Sequence, residues 1–453
     1  MKHILFLLAL VASASSAAAK PNILFIMSDD MRPELACYGN AQVKTPNIDA
    51  LAKAGVKFDR AFVQYPLCNP SRSSLLTGRY PTSTGVLDNT TWWGALHPEW
   101  TSLPGWFKKN GYASLRCGKI FHGGIDDTAA WTEGGEERKF EGAVNTQHKG
   151  QVASNSDRIV ILDEDGEAKH TDTKTRITAI DYLERYKDKP FFIACGFTKP
   201  HSPPTAPKRF FDMYESKDIP LPVDFQSHPI TPPGFPVPSI PLRNGDLFIN
   251  REASQDEARD VIRAYHASLT WVDDNVGKVL AKLDELHLRE NTIILFWGDH
   301  GYHLGEKGKW SKHNSLFDIG TRVPLVVAAP GAKGNGTPCP RVIEALDLYP
   351  TLCDLAGLPK PDGLQGDTIT ALLNDPNSAW DKPALSVTKL GQTLGKTVRT
   401  DRWRYAEWGD DGKEGSMLID EQNDPHELKN VADDPANAEV VKELKAKLKG
   451  LQN

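Results

Sequence analysis

Three near-continuous runs of apolar residues constrain the fold of this 453-residue chain more than any other feature. They occupy residues 21–27, 191–197 and 292–296. Such runs are typical of central parallel strands covered on both faces. Polar residues follow each run, and open α/β sheets bind ligands beyond the carboxyl ends of their strands. We therefore predict an α/β fold with a large, mostly parallel sheet and a polar site at one edge of that sheet.

Other patterns supply the elements around this sheet. Ser254 and Glu257 form a capping box before a long stretch with apolar residues at helical spacing, so we predict a long helix packed on the sheet. Length alone suggests two or three domains. Further strands are predicted at 56–62, 113–116 and 323–329, with shorter helices near 103–110 and 345–356.

The pattern of predicted elements changes near residue 380. Short runs at 384–387, 396–400, 402–408 and 417–420 predict an antiparallel sheet, and 435–451 predict a charged amphipathic helix. We therefore predict an N-terminal catalytic domain at 20–380 and a smaller α+β subdomain at 381–453.

The first nineteen residues have the pattern of a secretory signal peptide. Lys2 precedes a short apolar run, and three alanines at 17–19 form a small-residue cleavage site. Without this segment the formal net charge moves from −6 to −7, which disfavours non-specific binding to nucleic acid. No later run is long enough to span a bilayer. We expect an exported protein, periplasmic or secreted if bacterial, with no membrane span.

A second constraint lies in the stretch from Cys68 to Arg79. Pro70 suits the first position of a helix at 71–77, and Gly78 suits its left-handed exit. A helix start presents unpaired N–H groups and a positive dipole end, so Cys68 lies where an anion would bind. Arg72 is then one turn away, ready to hold an oxyanion. The alternative is an apolar cysteine beside an ordinary helix cap.

Polar residues from distant segments are expected to meet at this site. Nearly all follow a predicted strand or begin a helix, and a parallel sheet brings such positions together. Carboxylates beside imidazoles and cations suit an anionic substrate held by a divalent metal, and do not suit hydride transfer or a Ser-His-Asp site. For the acids, helix capping is the alternative. The residues are Asp29, Asp30, Cys68, Lys119, His122, His201, Asp299, His300 and Lys312.

Eight short motifs carry a family resemblance. They lie at 29–33, 68–79, 118–122, 199–201, 299–301, 304–306, 310–312 and 424–428. Together they resemble the type I sulfatases of the alkaline phosphatase superfamily. Most arylsulfatases have Lys-x-His and Asp-Asn elements. An extra residue before His122 and the imidazole of His300 instead resemble the iduronate-2-sulfatase branch. The resemblance spans residue 22 to about 430 and implies an alkaline phosphatase-like fold.

The resemblance also implies a modified residue and a metal. In that family the cysteine is oxidised by a maturation enzyme to formylglycine (3-oxoalanine), and the hydrated aldehyde is the nucleophile. One hydroxyl attacks sulfur, and deprotonation of the other releases sulfate. The implied ligands of one Ca²⁺ are Asp29, Asp30, Asp299, His300 and the modified residue 68.

Catalytic roles follow by the same resemblance. Arg72 and Lys119 would stabilise the charged nucleophile at Cys68, and His122 would be the base for elimination. His201 and Lys312 would bind sulfate and protonate the leaving oxygen. Lys199 is a further candidate for the pocket.

The sequence constrains the substrate less than it constrains the reaction. We expect a sulfated oligosaccharide or polysaccharide, with exo-acting removal of a 2-O-sulfate from uronate as the leading hypothesis. A phosphodiester or phosphonate monoester hydrolase of the same superfamily is one alternative, and a glycan-binding protein without catalysis is another. The candidate sugar contacts are Trp92, Trp93, Tyr302 and His303, with Lys396 or Arg399 for a uronate carboxylate.

Overall fold

The structure, a computed structural model, describes residues 20–146 and 158–450. The predicted signal peptide at 1–19 lies outside the described residues. Within them, no helix has both the length and the apolar character needed to cross a membrane.

Thirteen strands are found in the described residues. They are β1 (Asn22–Asp29), β2 (Val56–Phe62), β3 (Ala113–Gly118), β4 (Val160–Leu162), β5 (Phe191–Pro200), β6 (Thr205–Pro207), β7 (Thr292–Gly298), β8 (Arg322–Ala328), β9 (Cys339–Glu344), β10 (Ala384–Leu390), β11 (Thr393–Arg399), β12 (Trp403–Trp408) and β13 (Ser416–Asp420).

The same residues form thirteen α-helices. They are α1 (Pro46–Ala54), α2 (Cys68–Thr77), α3 (Pro81–Thr84), α4 (Trp93–Leu96), α5 (Leu103–Lys109), α6 (Glu164–Lys169), α7 (Thr171–Tyr186), α8 (Lys208–Phe211), α9 (Gln255–Glu285), α10 (Asp318–Thr321), α11 (Leu348–Leu355), α12 (Thr370–Asn374) and α13 (Ala438–Gly450).

A seven-stranded sheet organises the molecule, in the order β3-β5-β1-β7-β8-β2-β9. Only β8 is antiparallel to its neighbours, β7 and β2. Strand β1 lies between β5 and β7, in parallel with both. The other six strands therefore point the same way and deliver their carboxyl ends to one edge.

Helices cover both faces of this sheet, as the continuous apolar runs predict. Ile23 and Phe25 of β1 face the core formed with α2, α5 and α11, whereas Leu24 and Ile26 face the core formed with α1, α7 and α9. Alternate residues of a strand point to opposite faces, so a strand buried on both sides must be apolar throughout. The capping box of Ser254 and Glu257 is present at the start of α9.

The start of helix α2 differs from the prediction. It begins at Cys68, three residues earlier than expected, so Pro70 stands in the third position and not the first. The Ser71 N–H donates to the Leu67 carbonyl at 3.0 Å. Proline is tolerated there because the N–H groups of the first turn have no helical partner. The predicted left-handed exit at Gly78 is confirmed, with a φ of 65°.

A second, antiparallel sheet is confirmed in the C-terminal part, in the order β10-β11-β12-β13. Leu444 and Leu448 of α13 pack on one of its faces. Its other face packs against Leu316 and Phe317, which follow the loop after β7. The predicted boundary near residue 380 precedes β10, and it stays a prediction.

Candidate active site

Five functional side chains reach one place because their strands point the same way. Asp29 ends β1, Lys199 lies near the end of β5, and Asp299 follows β7. Lys119 follows β3, and Cys68 comes six residues after the end of β2 as the first residue of α2. The edge predicted from the sequence is therefore the edge that collects them.

Four groups at this edge form a tight, buried cluster around the Cys68 thiol. The Cys68 Sγ lies 3.5 Å from Asp29 Oδ1 and 3.3 Å from His300 Nε2. His300 Nε2 also lies 3.4 Å from Asp30 Oδ1 and 3.5 Å from Asp299 Oδ2. Ligand atoms of Asp29, Cys68, Asp299 and His300 all lie within 4.8 Å of one another. One ion could contact all of them.

The electrostatics of the cluster suit a cation. Burial, and then the neighbouring charge of Asp29, raise the pKa of Asp299 to about 7. Burial lowers the pKa of His300, but Asp299 and Cys68 outweigh it and raise that pKa to about 10. Asp30 Oδ1 is buried without a hydrogen-bond partner. A buried acceptor in this state is costly unless something positive satisfies it.

Arg72 is buried behind the cluster and does not project into an open pocket. Its Nε donates to Asp299 Oδ2 at 2.9 Å, and its Nη1 donates to the carbonyls of Lys119 and Ile120 at 2.6 and 3.0 Å. Its Nη2 lies 3.8 Å from Asp29 Oδ2. The guanidinium therefore spans two of the carboxylates instead of reaching back alone to Cys68.

Cations and an imidazole surround the thiol on its other side. The Lys119 ammonium contacts Asp29 Oδ2. Burial raises the pKa of the Cys68 thiol, but the charges of Lys119, His300 and Lys312 outweigh it and lower that pKa well below its usual value. Burial lowers the pKa of His122, which acts as a hydrogen-bond partner of Cys68. His122 therefore lies next to residue 68.

His201 and Lys312 lie next to each other beside Asp30, and of the two only His201 is partly exposed. The Lys312 ammonium donates to Asp30 Oδ2 at 3.0 Å and lies 3.3 Å from His201 Nε2. The His201 side chain is 31% exposed, so it can meet a substrate. Burial lowers its pKa, but Asp30 outweighs it and raises that pKa.

The structure adds two acids that the sequence analysis missed. Asp246 Oδ2 lies 3.3 Å from the Lys312 ammonium. Asp172 accepts from the backbone N–H of Lys199 at 3.0 Å. The Lys199 ammonium donates to the carbonyls of His201 and Pro203 at 2.7 and 3.0 Å, and so positions the His201 turn. Neither acid follows a predicted strand, so the pattern that identified the other residues, a polar side chain just after a strand, could not identify these two.

Several predicted sugar contacts have buried side chains, and their role stays a prediction. Tyr302 is 2% exposed and its hydroxyl donates to the Trp310 carbonyl at 3.3 Å. His303 is fully buried, with Nε2 at 2.6 Å from the Ser315 hydroxyl. Trp93 belongs to the main core, and only Trp92 is partly exposed, under the Arg138 guanidinium. Arg399 is also buried, 3.5 Å from Glu421.

Comparisons with known proteins identify the family of the chain. The sulfatase family matches residues 21–358, and the family described as N-sulphoglucosamine sulphohydrolase, C-terminal, matches 305–453. Iduronate 2-sulfatase of Mus musculus is 35% identical in an alignment 393 residues long that covers 77% of this chain and 71% of that protein. Delta 4,5-hexuronate-2-O-sulfatase of Bacteroides thetaiotaomicron is 28% identical and covers 97% of this chain and 90% of its own.

Solved structures agree as well. One described as a 2-O GAG sulfatase aligns with a TM-score of 0.70 and 26% identity, over 95% of this chain and 91% of its own. The family match covers most of the chain, and the fold and the polar edge of the sheet accord with it. The chain therefore belongs to the sulfatase family and is a sulfuric ester hydrolase.

Proposed function

We propose that this chain is an exported, calcium-dependent sulfatase that removes the 2-O-sulfate from a terminal uronate of a sulfated glycan, with residue 68 converted from cysteine to formylglycine. The observation that carries the proposal is the cluster itself. Three carboxylates surround residue 68, and a Lys-His pair stands beside it toward solvent. Relatives named as 2-sulfatases of uronates support the substrate class.

The donor set fits calcium once residue 68 is an oxygen ligand. Calcium prefers six to eight oxygen ligands, including mono- and bidentate carboxylates. Asp29, Asp30 and Asp299 supply carboxylates, and Asp30 Oδ1, which has no hydrogen-bond partner, is available as a metal ligand. A thiolate is a soft ligand that suits calcium poorly. A bound Ca²⁺ would act as a Lewis acid on the sulfate oxygens.

Formylglycine at residue 68 would supply a hydrated aldehyde with two hydroxyls, one to attack sulfur and one to lose its proton as sulfate departs. His122, the hydrogen-bond partner of residue 68, is the group that accepts this proton. Lys119 and Arg72 hold Asp29 and Asp299 in place and offset their negative charge. Their positions keep the nucleophile fixed in a buried, preorganised site.

His201 and Lys312 act on the leaving group. His201 is partly exposed, and the buried Lys312 ammonium is held between Asp30 and Asp246. They bind the sulfate oxygens and give a proton to the sugar oxygen as the S–O bond breaks. A sugar alkoxide is a poor leaving group, so this proton is worth a large part of the rate.

The test combines peptide mass spectrometry with turnover. We expect the peptide that contains residue 68 to carry an aldehyde in place of the thiol, and 2-O-sulfated uronates to lose sulfate faster than 6-O- or N-sulfated glucosamine. Cys68→Ala should abolish turnover. Cys353→Ala removes an equally buried thiol from α11 and should keep it.

Two results would contradict the proposal. Full turnover by Cys68→Ala would exclude residue 68 as the nucleophile. Faster cleavage of phosphonate or phosphate diesters than of any sulfate ester by the same sample would favour the alternative activity. Export is tested separately, because the mature chain should begin at Lys20.

A further inference from the structure

A cleft of about 470 Å³ lies next to the Lys312 side of the candidate site. It separates the segment 241–249 from the loop 309–314 and from the tip of the C-terminal sheet. We call it the basic cleft, and its main lining residues are Pro241, Arg243, Ile249, Lys309, His313 and Leu390.

One carboxylate connects the basic cleft with the catalytic residues. Asp246 Oδ2 lies 3.3 Å from the Lys312 ammonium and 3.8 Å from His313 Nδ1. The backbone of Gly245 packs directly on the His313 ring, because a methyl group at Gly245 would lie 2.6 Å from Nδ1. His313 is therefore held in a fixed position one residue from Lys312, with 35% of its side chain exposed.

The positive charge of the basic cleft comes mainly from Arg243, because burial lowers the pKa of Lys309 to about 7 and also lowers the pKa of His313. Arg243 is exposed, and it forms no ion pair with any residue in the described part of the chain. Lys309 is buried, and its ammonium donates to the His313 carbonyl. Among the described residues, the lining includes no Asp or Glu. Since the whole chain has a net charge of −6, attraction of an anion must be local.

The apolar part of the lining suits a sugar ring. Pro241, Ile249 and Leu390 contribute hydrocarbon surface beside the cations. Binding sites commonly pair such surface with a few placed polar groups that fix orientation. A guanidinium is the side chain best shaped to bind a carboxylate or sulfate in two hydrogen bonds.

We propose that the basic cleft is a specificity subsite, in which Arg243 and His313 bind a second oxyanion of the substrate beside the sulfate that is cleaved. The proposal rests on the proposed function, since it assumes a sulfated sugar in the catalytic pocket. The oxyanion is a carboxylate or a sulfate. It belongs either to the same sugar or to its neighbour.

The test compares substrates with and without the second anion. Four are needed: a 2-O-sulfated uronate, its carboxyl methyl ester, a disaccharide with a further sulfate on the neighbouring sugar, and 4-nitrophenyl sulfate. We expect Arg243→Ala to lower the ratio of kcat/KM for the anionic sugars to kcat/KM for 4-nitrophenyl sulfate by about tenfold, through KM. Arg243→Lys should restore part of it.

A second variant and a control variant distinguish binding of the second oxyanion from a nonspecific loss of activity or stability. Gly245→Ala pushes the His313 ring aside without changing any charge, so it should lower the same ratio, by less. Leu242→Ala alters an exposed neighbour of Arg243 and should leave the ratio unchanged.

The substrate that loses the Arg243 effect identifies the oxyanion. If Arg243→Ala no longer lowers kcat/KM for the methyl ester, the bound oxyanion is the carboxylate of the cleaved sugar. If Arg243→Ala lowers kcat/KM only for the disaccharide, the bound oxyanion is the sulfate of the neighbouring sugar. An unchanged ratio for every anionic substrate would overturn the proposal. If the wild-type protein released no sulfate at all, the proposed function would fail instead. Calorimetry of the sulfated disaccharide with wild-type and Arg243→Ala protein would then still test the cleft, and equal affinities would reject it.

Discussion

Arg72 and Asp299 form an ion pair in which neither side chain contacts solvent. Removing two charges from water is costly, and their attraction offsets the cost only when the remaining hydrogen bonds are satisfied. The Nη1 group of Arg72 donates to the carbonyls of Lys119 and Ile120, whereas its Nη2 group has no hydrogen-bond partner and lies 3.8 Å from Asp29 Oδ2. These bonds also fix the turn that carries Lys119. The guanidinium thus orders the site as well as balancing its charge.

Asp30 gives a residue-scale prediction about the metal. Its Oδ2 is held by Lys312 and its Oδ1 has no hydrogen-bond partner, so Oδ1 is the atom that we expect to bind Ca²⁺. Asp30→Asn should weaken Ca²⁺ binding by more than about tenfold, because a neutral amide replaces a charged ligand. The measurements are calorimetric titration with Ca²⁺ and sulfate release against free Ca²⁺.

The matched control for Asp30 is Asp246→Asn. This change also removes a carboxylate from Lys312, but Asp246 belongs to neither metal-competent cluster. We expect it to lower turnover while Ca²⁺ affinity stays the same. Equal losses of affinity in the two variants would contradict the assignment of Asp30 as a ligand.

His201 gives a residue-scale prediction about the leaving group. If His201 and Lys312 protonate the sugar oxygen, His201→Ala should lower kcat for a sulfated sugar by about a hundredfold or more. The loss should be much smaller for 4-nitrophenyl sulfate, because nitrophenolate leaves without a proton. Steady-state kinetics on the two substrates decide the matter, and equal losses would indicate a role in binding sulfate only.

At the scale of elements, helix α1 is attached to helix α9 through one buried carboxylate. Asp273 of α9 accepts from the backbone N–H groups of Asn47 and Ile48 and from the Asn47 side chain. It therefore caps the start of α1, where N–H groups lack helical partners. Through this contact the two helices on one face of the sheet are joined.

The Asp273 contact predicts a pH dependence of stability. Burial raises its pKa to about 6, from 3.8 in the unfolded chain. The neutral Asp273 carboxyl group stabilises the folded protein below pH 4, and this stabilisation is lost as pH rises through 6, where the carboxyl must ionise inside the protein. The Asp273→Asn variant has no carboxyl group to ionise, so its stability lacks this pH dependence. The free energy of unfolding of the variant, minus that of the wild type, should thus rise by about 2 kcal/mol between pH 4 and 7. Urea unfolding at both pH values measures it, and a constant difference would contradict it.

The elements were more predictable than their loops. Strands β1, β5 and β7 could be predicted because burial on both faces requires apolar residues throughout, and that leaves a continuous pattern. The start of α2 was misplaced because Pro70 is tolerated anywhere in a first turn, not only at its first position. The burial of Tyr302 and His303 was not foreseen, because Tyr302 packs against Tyr265 of the distant helix α9 and His303 packs against Phe317. Local sequence does not record such a long-range contact.

The same difference between regular elements and irregular segments decides which site residues could be predicted. Asp29, Asp299 and Lys119 could be placed because each stands at the end of a strand whose direction was predictable. Asp246 and Arg243 could not, because they lie in an irregular segment whose position depends on packing against the loop 309–314. Only the structure brings that segment to the site.

At the scale of the whole molecule, one buried arginine joins the C-terminal sheet to the loop that carries Lys312. Arg404 of β12 donates to the Leu316 carbonyl at 2.9 Å and contacts Asp318 at 2.7 Å and Glu427 at 2.8 Å. Glu427 also accepts from the Asp318 N–H at 2.7 Å. The motif at 424–428 therefore secures the catalytic loop from the far end of the chain, across the boundary that we predict near residue 380.

This junction predicts that damage in the C-terminal sheet reaches the active site. Arg404→Ala would leave the buried Glu427 without the arginine that contacts it at 2.8 Å, whereas Asp318 and Glu421 would keep Arg399 at 3.7 and 3.5 Å. Loss of the buried Arg404–Glu427 pair should cost about 3–5 kcal/mol of stability. Turnover should also fall, because Leu316 and Asp318 no longer fix the loop that presents Lys312. Arg402→Ala is the control: it removes an exposed arginine paired with Asp420 near the same strand, and the unfolding midpoint should change little. Urea unfolding and sulfate release are measured on both variants. Loss of stability with full activity in Arg404→Ala would show that the loop keeps its shape without the C-terminal sheet, and would reject the coupling.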